Sequence, residues 1–345
     1  MMLRKWLRFG RKVWASNFGR LADPYKLTFV TTKECHSRCI NCEIWKVKPK
    51  NELTLDEVTQ LAKNSPFLSW VDFTGGEPTD RKDFVQVIQA FLDNCPDLLF
   101  VHFPTNGLKT KRIEKAVSDL LQIGAPNLTI TVSIDGPPEV NDPLRGIPGD
   151  FRKAVETFQA IEKLGVKVYV GMTLYTENVR LIDATVAAIR EIHPTFSYRQ
   201  LHVNIPHISG HFYENKDVAP LPTGEMVDQI DQFMKKRGFP RSPFDLLERM
   251  YHKRVRQYVD TKACPQDCAS LMASCYVSET GMVFPCLIWD EPLGNIRDHG
   301  YSMLPMIKGA QAKQLREDLL AKNCPNCWTP CEAYQTIAAN LFKSN

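Results

Sequence analysis

From Tyr25 onward the apolar residues alternate between two patterns. Short, nearly unbroken apolar runs are separated by longer stretches in which apolar residues recur every three to four positions. The unbroken runs predict strands buried on both faces, as in parallel sheets. The longer period predicts amphipathic helices. Strands are expected at Tyr25–Thr32, Leu68–Thr74, Leu98–Pro104, Leu128–Ile134, Val166–Leu174 and Tyr198–Ile205. Helices are expected from Thr54 and over about 82–94, 110–122, 151–164 and 179–192. Thr54 can cap the first of these, with Glu57 completing a capping box.

Strands alternating with helices through six steps argue for parallel strands joined by helical crossovers. The expected fold class is α/β: a partial (β/α)6 TIM-like barrel, with a flat doubly wound sheet as the runner-up. After Ile205 the rhythm breaks. A loop rich in His, Gly, Pro and Asn covers 206–222, helices are expected at about 224–237 and 243–258, and a cysteine-rich region follows. The expected organisation is therefore a basic amphipathic N-terminal helix (1–24), a barrel core (25–222), a helical connector (223–260) and a small C-terminal cysteine-rich domain (261–345).

Charge and composition narrow the function classes. A net charge of +4 with 43% hydrophobic residues is ordinary for a folded chain and gives no argument for nucleic acid. The eleven cysteines are clustered: three at 35–42, Cys95 alone, and seven between 264 and 331. An odd total at two- and three-residue gaps suits metal better than disulfides and points to a reducing cytoplasm. No apolar stretch has the length of a membrane span. The N-terminal helix places Leu3, Leu7, Trp14, Phe18 and Leu21 near one face and Arg4, Lys5, Arg8, Arg11 and Lys12 largely elsewhere. It is expected to pack on the main domain, with peripheral membrane contact through residues 1–22 as the alternative.

The candidate chemistry lies just after strands, the edge that carries active sites in parallel α/β folds. Cys35, Cys39 and Cys42 follow the first strand with C-x3-C-x2-C spacing. Iron–sulfur clusters usually take four cysteines, so three on one loop can leave one iron open to a ligand. Thr74-Gly75-Gly76-Glu77-Pro78 ends the second strand, and its glycines allow a ligand close to the backbone. Pro104-Thr105-Asn106-Gly107 ends the third. Ser133-Ile134-Asp135-Gly136-Pro137 ends the fourth, with Asn141-Asp142 and Arg145-Gly146 beyond. His202, Asn204, His207, His211, Tyr213 and Asn215 follow the sixth, and one of them is a candidate to position substrate or move a proton. Asp290 and Glu291 have the same standing. Cys95 reads as a buried structural residue.

From about Tyr25 to Ile205, the cysteine trio and Gly-Gly-Glu-Pro, in this order and at this gap, resemble the radical S-adenosylmethionine enzymes. The resemblance implies a [4Fe–4S] cluster on Cys35, Cys39 and Cys42 whose open iron chelates the amino and carboxylate groups of S-adenosylmethionine. It implies that Gly75, Gly76 and Glu77, with Pro78 and Asn106 alongside, form the cofactor site. It further implies that Ser133 contacts the bound cofactor and Arg145 its carboxylate. That family usually has an aromatic residue before the third cysteine, where this chain has Asn41. Adenine is then expected against backbone and apolar residues near Val170 and Met172. The implied chemistry is reductive cleavage to a 5′-deoxyadenosyl radical, which abstracts hydrogen from a substrate C–H bond. A reductant such as flavodoxin or ferredoxin is the implied partner.

The C-terminal cysteines resemble the SPASM/twitch extension of the same enzymes, through Gly281-x4-Cys286 and Cys324-x2-Cys327. The resemblance implies an auxiliary [4Fe–4S] cluster, with two clusters as the alternative. The first choice of ligands is Cys275, Cys286, Cys324 and Cys327, with Cys331 and Cys268 as replacements; Cys264 lies just upstream. A structural zinc ribbon is the competing reading, since paired cysteines bind zinc. The expected outcome is oxidation or bond formation on a peptide or small molecule. Radical modification of a lipid or sugar at a membrane surface is the alternative. A non-catalytic zinc- or iron-binding interaction protein is the alternative of another class.

Overall fold

The computed structural model describes residues 2–217 and 222–343. The loop expected over 206–222 therefore lies partly outside the described residues, as do residue 1 of the N-terminal segment and residues 344–345 of the C-terminal one.

In chain order the elements are α1 (Met2–Asn17), β1 (Lys26–Thr32), α2 (Leu55–Lys63), β2 (Trp70–Gly75), α3 (Phe84–Asn94), β3 (Phe100–Thr105), α4 (Thr110–Gln122) and β4 (Thr129–Ser133). They continue with α5 (Pro138–Arg145), α6 (Asp150–Lys163), β5 (Lys167–Thr173), α7 (Ile182–Ile192), β6 (Leu201–Asn204), α8 (Gly224–Arg237) and α9 (Pro243–Thr261). Last come β7 (Ser274–Val277), β8 (Met282–Phe284), β9 (Gly294–Asn295), α10 (Leu304–Ile307), α11 (Ala310–Leu320) and α12 (Pro330–Ala338). All six expected strands form, and α4 and α8 have the expected bounds. Thr54 caps α2 through the full capping box with Glu57.

The strands lie in the order β6-β5-β4-β3-β2-β1-β7-β8-β9, with β1 to β6 parallel throughout. This is the mixed α/β fold with a parallel sheet and helical crossovers of a partial TIM barrel. The sheet's outer face and the helices share one core around Phe29, Phe73, Phe91, Phe103, Val132 and Phe158. The cysteine-rich region is tied to the same sheet. β7 adds in parallel to the free edge of β1, Leu27 opposite Cys275, and β8 and β9 continue antiparallel.

Two further features, both of the barrel, were not expected from sequence. One is α5, which starts at Pro138, contains Pro143 and ends on Gly146 in the left-handed conformation. Proline at the first helical position is well tolerated there. The other is the inward face of the barrel. Asp72, His102, Thr131, Tyr169 and His202 on successive strands β2 to β6 border an interior cavity of about 1110 Å³. TIM barrels more often fill this space with branched apolar side chains.

Candidate active site

The Cys35–Cys42 loop leaves the C-terminal end of β1 and is held by backbone on several sides. From β2, the Gly76 N–H donates to the Thr32 carbonyl at 2.9 Å and the Glu77 N–H to the Glu34 carbonyl at 2.7 Å. From the end of α5, the Arg145 and Leu144 carbonyls accept from the Arg38 and Ile40 N–H groups at 2.9 and 3.0 Å. The Glu43 N–H donates to the Tyr213 carbonyl at 2.9 Å, and the Asn215 side chain donates to the Asn41 carbonyl at 3.1 Å. A Cβ on Gly76 would sit 2.3 Å from the Glu34 oxygen and 2.8 Å from the Cys35 Cβ. A Cβ on Gly146 would meet the Arg38 oxygen at 2.4 Å. These glycines let two flanking segments press onto the cysteine loop, which explains why the sequence needs them there.

All three thiols border the cavity. Burial raises each thiol's pKa, Cys35 to about 11 and Cys42 to about 12. Three half-buried thiols side by side disfavour thiolates, and a cationic cluster would reverse that preference. Cys95 is buried elsewhere, its thiol donating to the Ser65 carbonyl at 3.1 Å.

Gly75, Gly76, Asn106, Ser133 and Arg145 border the same cavity as the trio. The Asn106 side-chain nitrogen is buried without a partner, a donor left over for a ligand. Arg145 is held by two carboxylates, Asp135 at 2.9 Å and Asp150 at 3.3 Å. The Glu77 carboxylate is buried and used internally. It accepts from the Asn106 N–H at 2.7 Å, from the Thr79 hydroxyl at 2.6 Å and from the Thr105 hydroxyl at 3.0 Å. Neither Glu77 nor Pro78 borders the cavity. The Glu77 carboxylate instead ties the end of β2 to the end of β3.

The expectation for adenine is corrected. Val170 and Met172 are fully buried in the core between sheet and helices, because side chains alternate along β5. Gly171 and Thr173 are the β5 residues that face the cavity at this level. The cavity fits the implied groups in its donor chemistry: three thiols, glycine backbone that a Cβ would displace, and an orphaned amide donor.

Tyr175 and Tyr213 are half-buried and border the same cavity; Tyr175 lies near Cys39, Cys42 and Asp135, and Tyr213 near Cys42 and Cys331. Tyr175 had no sequence signal beyond its place after a strand. His202, Asn204, His207 and Asn215 also border the cavity. His211 does not. Its ring stacks on Phe284 and its Nε2 meets the Cys286 carbonyl at 3.1 Å. Asp290 pairs with Lys216 at 3.1 Å, and Glu291 is exposed.

The seven C-terminal cysteines separate into three environments. Cys264 and Cys268 lie side by side, and Cys286, Cys324 and Cys327 lie within electrostatic range of Cys268. Cys275 lies apart. It is buried on β7 with its sulfur 3.1 Å from that of Met303. Cys331, in the first turn of α12, borders the central cavity, and its carbonyl accepts from Lys26. Short spacing within 324–331 did not reveal this split, because the first turn of α12 redirects its last cysteine. Among the described residues, no three His, Cys, Asp or Glu side chains converge tightly enough for a single metal ion.

Comparison with known proteins agrees with this geometry. Residues 29–189 match the model of the radical SAM superfamily. The AdoMet-dependent heme synthase of Methanosarcina barkeri is 26% identical over 298 residues, covering 81% of this chain and 81% of the relative. The sporulation killing factor maturation protein SkfB of Bacillus subtilis is 24% identical over 307 residues, covering 87% of this chain and 68% of the relative. Among solved structures, Streptococcus suis SuiB bound to S-adenosylmethionine superposes with a TM-score of 0.56 at 13% identity, covering 87% of this chain and 67% of that one. Native anSMEcpe with bound AdoMet gives 0.53 at 15% identity, covering 92% and 97%. At such identities the structural likeness concerns the fold. In sequence, residues 29–189 are similar to the radical SAM superfamily, and that stretch includes the cysteine loop at the end of β1.

Proposed function

We propose that the protein binds a [4Fe–4S] cluster on Cys35, Cys39 and Cys42 and uses it to cleave S-adenosylmethionine and abstract hydrogen from a peptide or small-molecule substrate. The observation that carries this reading is the shared cavity: the trio, the Gly75-Gly76 backbone and the Asn106 donor all border it. Cys35, Cys39 and Cys42 would hold the cluster, which would supply the electron for reductive cleavage of S-adenosylmethionine. Gly75 and Gly76 give the cofactor's amino group access to main-chain carbonyls. Asn106 supplies a donor, and Ser133 and Thr173 present hydroxyls from β4 and β5. Asp135 and Asp150 orient Arg145 beside the cysteine loop. The enclosing side chains limit water at the reacting carbon.

An auxiliary [4Fe–4S] cluster fits the C-terminal group around Cys268, with Cys286, Cys324 and Cys327 as its companions and Cys264 as the alternative to one of them. An auxiliary cluster near substrate favours oxidation or bond formation, since it can accept the electron of a substrate radical. The names of relatives include both a killing factor maturation protein and a heme synthase, which keeps both substrate classes in view. Flavodoxin or ferredoxin fits the need for a one-electron donor. Modification of a lipid or sugar is the second reading. It is favoured by the reach of the cavity to Trp6, Phe9 and Val13 of α1, at the opposite end of the barrel from the cysteine loop.

The test is incubation of anaerobically reconstituted protein with dithionite and S-adenosylmethionine. 5′-Deoxyadenosine is expected from the wild type and is lost in Cys39→Ala. Undiminished release from that variant would refute the ligand assignment.

A further inference from the structure

The helix α1 is fixed to the barrel in one orientation, and its outer face is left apolar. On the inner side, Trp6 meets Phe100 edge-on at 5.3 Å and Phe9 meets Tyr25 at 5.5 Å. Polar contacts fix the rotation. Lys5 donates to the Leu98 carbonyl at 3.0 Å, and Lys12 donates to the Phe67 carbonyl at 2.8 Å and the Ser69 hydroxyl at 2.9 Å. Arg8 pairs with Asp97 at 2.7 Å. The Asn17 side chain donates to the Ala338 carbonyl and accepts from the Phe342 N–H, which binds the helix to the C-terminal segment.

With that rotation set, Leu3 is 73% exposed, Leu7 62%, Trp14 51% and Phe18 51%, and they fall on one stripe of the helix. Phe342, 65% exposed, stacks on Phe18 with ring centroids 6.4 Å apart and extends the stripe. Arg4 and Arg11 flank it, exposed and without a hydrogen-bond or ion-pair partner among the described residues. α1 contains no acidic residue at all, and the next acid, Asp23, is paired with Lys308. Trp and Phe beside aliphatic side chains, rimmed by free arginines, match the headgroup boundary of a bilayer: apolar groups enter the acyl region and cations meet anionic lipid. A second copy of this face would bring Arg4 and Arg11 against their own counterparts. An acidic, lipidic surface satisfies both features at once.

We infer that the outer face of α1, continued by Phe342, docks the protein on the surface of an anionic phospholipid bilayer. The barrel then stands on the N-terminal ends of its strands, with the cysteine loop at the end away from the lipid. The inference does not depend on the radical chemistry, because it uses no residue of the cysteine site.

The test is co-sedimentation of the full chain with vesicles of phosphatidylcholine alone and of phosphatidylcholine with phosphatidylglycerol. Point variants are preferable to truncation, because α1 also closes the barrel's lower end. The wild type should bind the anionic vesicles, and binding should weaken with added salt. Leu3→Ser/Leu7→Ser and Arg4→Glu/Arg11→Glu should each lower the partition coefficient by about tenfold or more while keeping the wild-type thermal melt. Equal sedimentation of the wild type with and without anionic vesicles would overturn the inference, as would binding unchanged in both variants. So would vesicle-free self-association, seen by analytical ultracentrifugation and abolished by Leu3→Ser/Leu7→Ser, which would assign the face to a second copy.

Discussion

At the scale of single residues, the site depends on backbone approach as much as on cysteine. Gly76→Ala would drive a Cβ into the Glu34 carbonyl and the Cys35 Cβ. The expected result is a folded protein that loses about 1–3 kcal/mol of stability and retains less iron after reconstitution, measured by melting and iron analysis. The C-terminal group gives a paired prediction. Cys268→Ala should remove about half of the reconstituted iron, whereas Cys275→Ala should keep it all, because Cys275 faces Met303 in the core. Iron retained in the first variant and lost in the second would restore the sequence-based choice of Cys275. The sequence could not separate these two. Both lie upstream of Gly281, and the choice depends on a non-local approach to Cys324 and Cys327. The adenine residues were misplaced for the same kind of non-local reason. Reading β5 as apolar was right, but which of its faces turns inward is set by pairing with β4 and β6.

At the scale of elements, α2 is clasped to the C-terminal region through its cap. The Glu57 carboxylate completes the capping box and also receives Arg297 at two nitrogens, 2.6 and 2.9 Å away. Arg297 holds the Glu57 pKa down at about 2 against an ordinary 4.5. A lowered carboxylate pKa stabilises the fold above the ordinary value, and that contribution fades as pH falls toward 2. Arg297→Ala should therefore cost about 1 kcal/mol near neutrality, given partial exposure of the pair. Melts compared at several pH values should show the gap between variant and wild type closing in acid. A gap independent of pH would detach it from Glu57. The cap itself was legible, because Thr54 and Glu57 stand at the spacing a capping box needs. The partner of Glu57 was not, since 240 residues separate it from Arg297. The helix α5 was missed because Pro137, Pro138 and Pro143 read as loop, although only Pro143 lies beyond the tolerated first position.

At the scale of the whole molecule, the barrel has a bordered interior instead of a filled one. The strand–helix rhythm was legible because each run is long enough to show its period. The lumen was also partly visible in retrospect, in the polar residues at alternate positions of β2 to β4: Asp72, Thr74, His102, Thr129 and Thr131. What the pattern did not disclose is that β7 extends the same sheet past β1, which brings Cys331 to the cavity that the trio borders. The proposed function stands on Cys35, Cys39 and Cys42 holding a cluster whose open iron takes S-adenosylmethionine. The most direct measurement is electron–nuclear double resonance on dithionite-reduced protein mixed with S-adenosylmethionine carrying nitrogen-15 in its amino group. A nitrogen-15 coupling to the cluster spin is expected in the wild type and in Cys268→Ala, and none in Cys39→Ala. A reduced wild-type protein that carries its cluster on the trio yet shows no such coupling would contradict it.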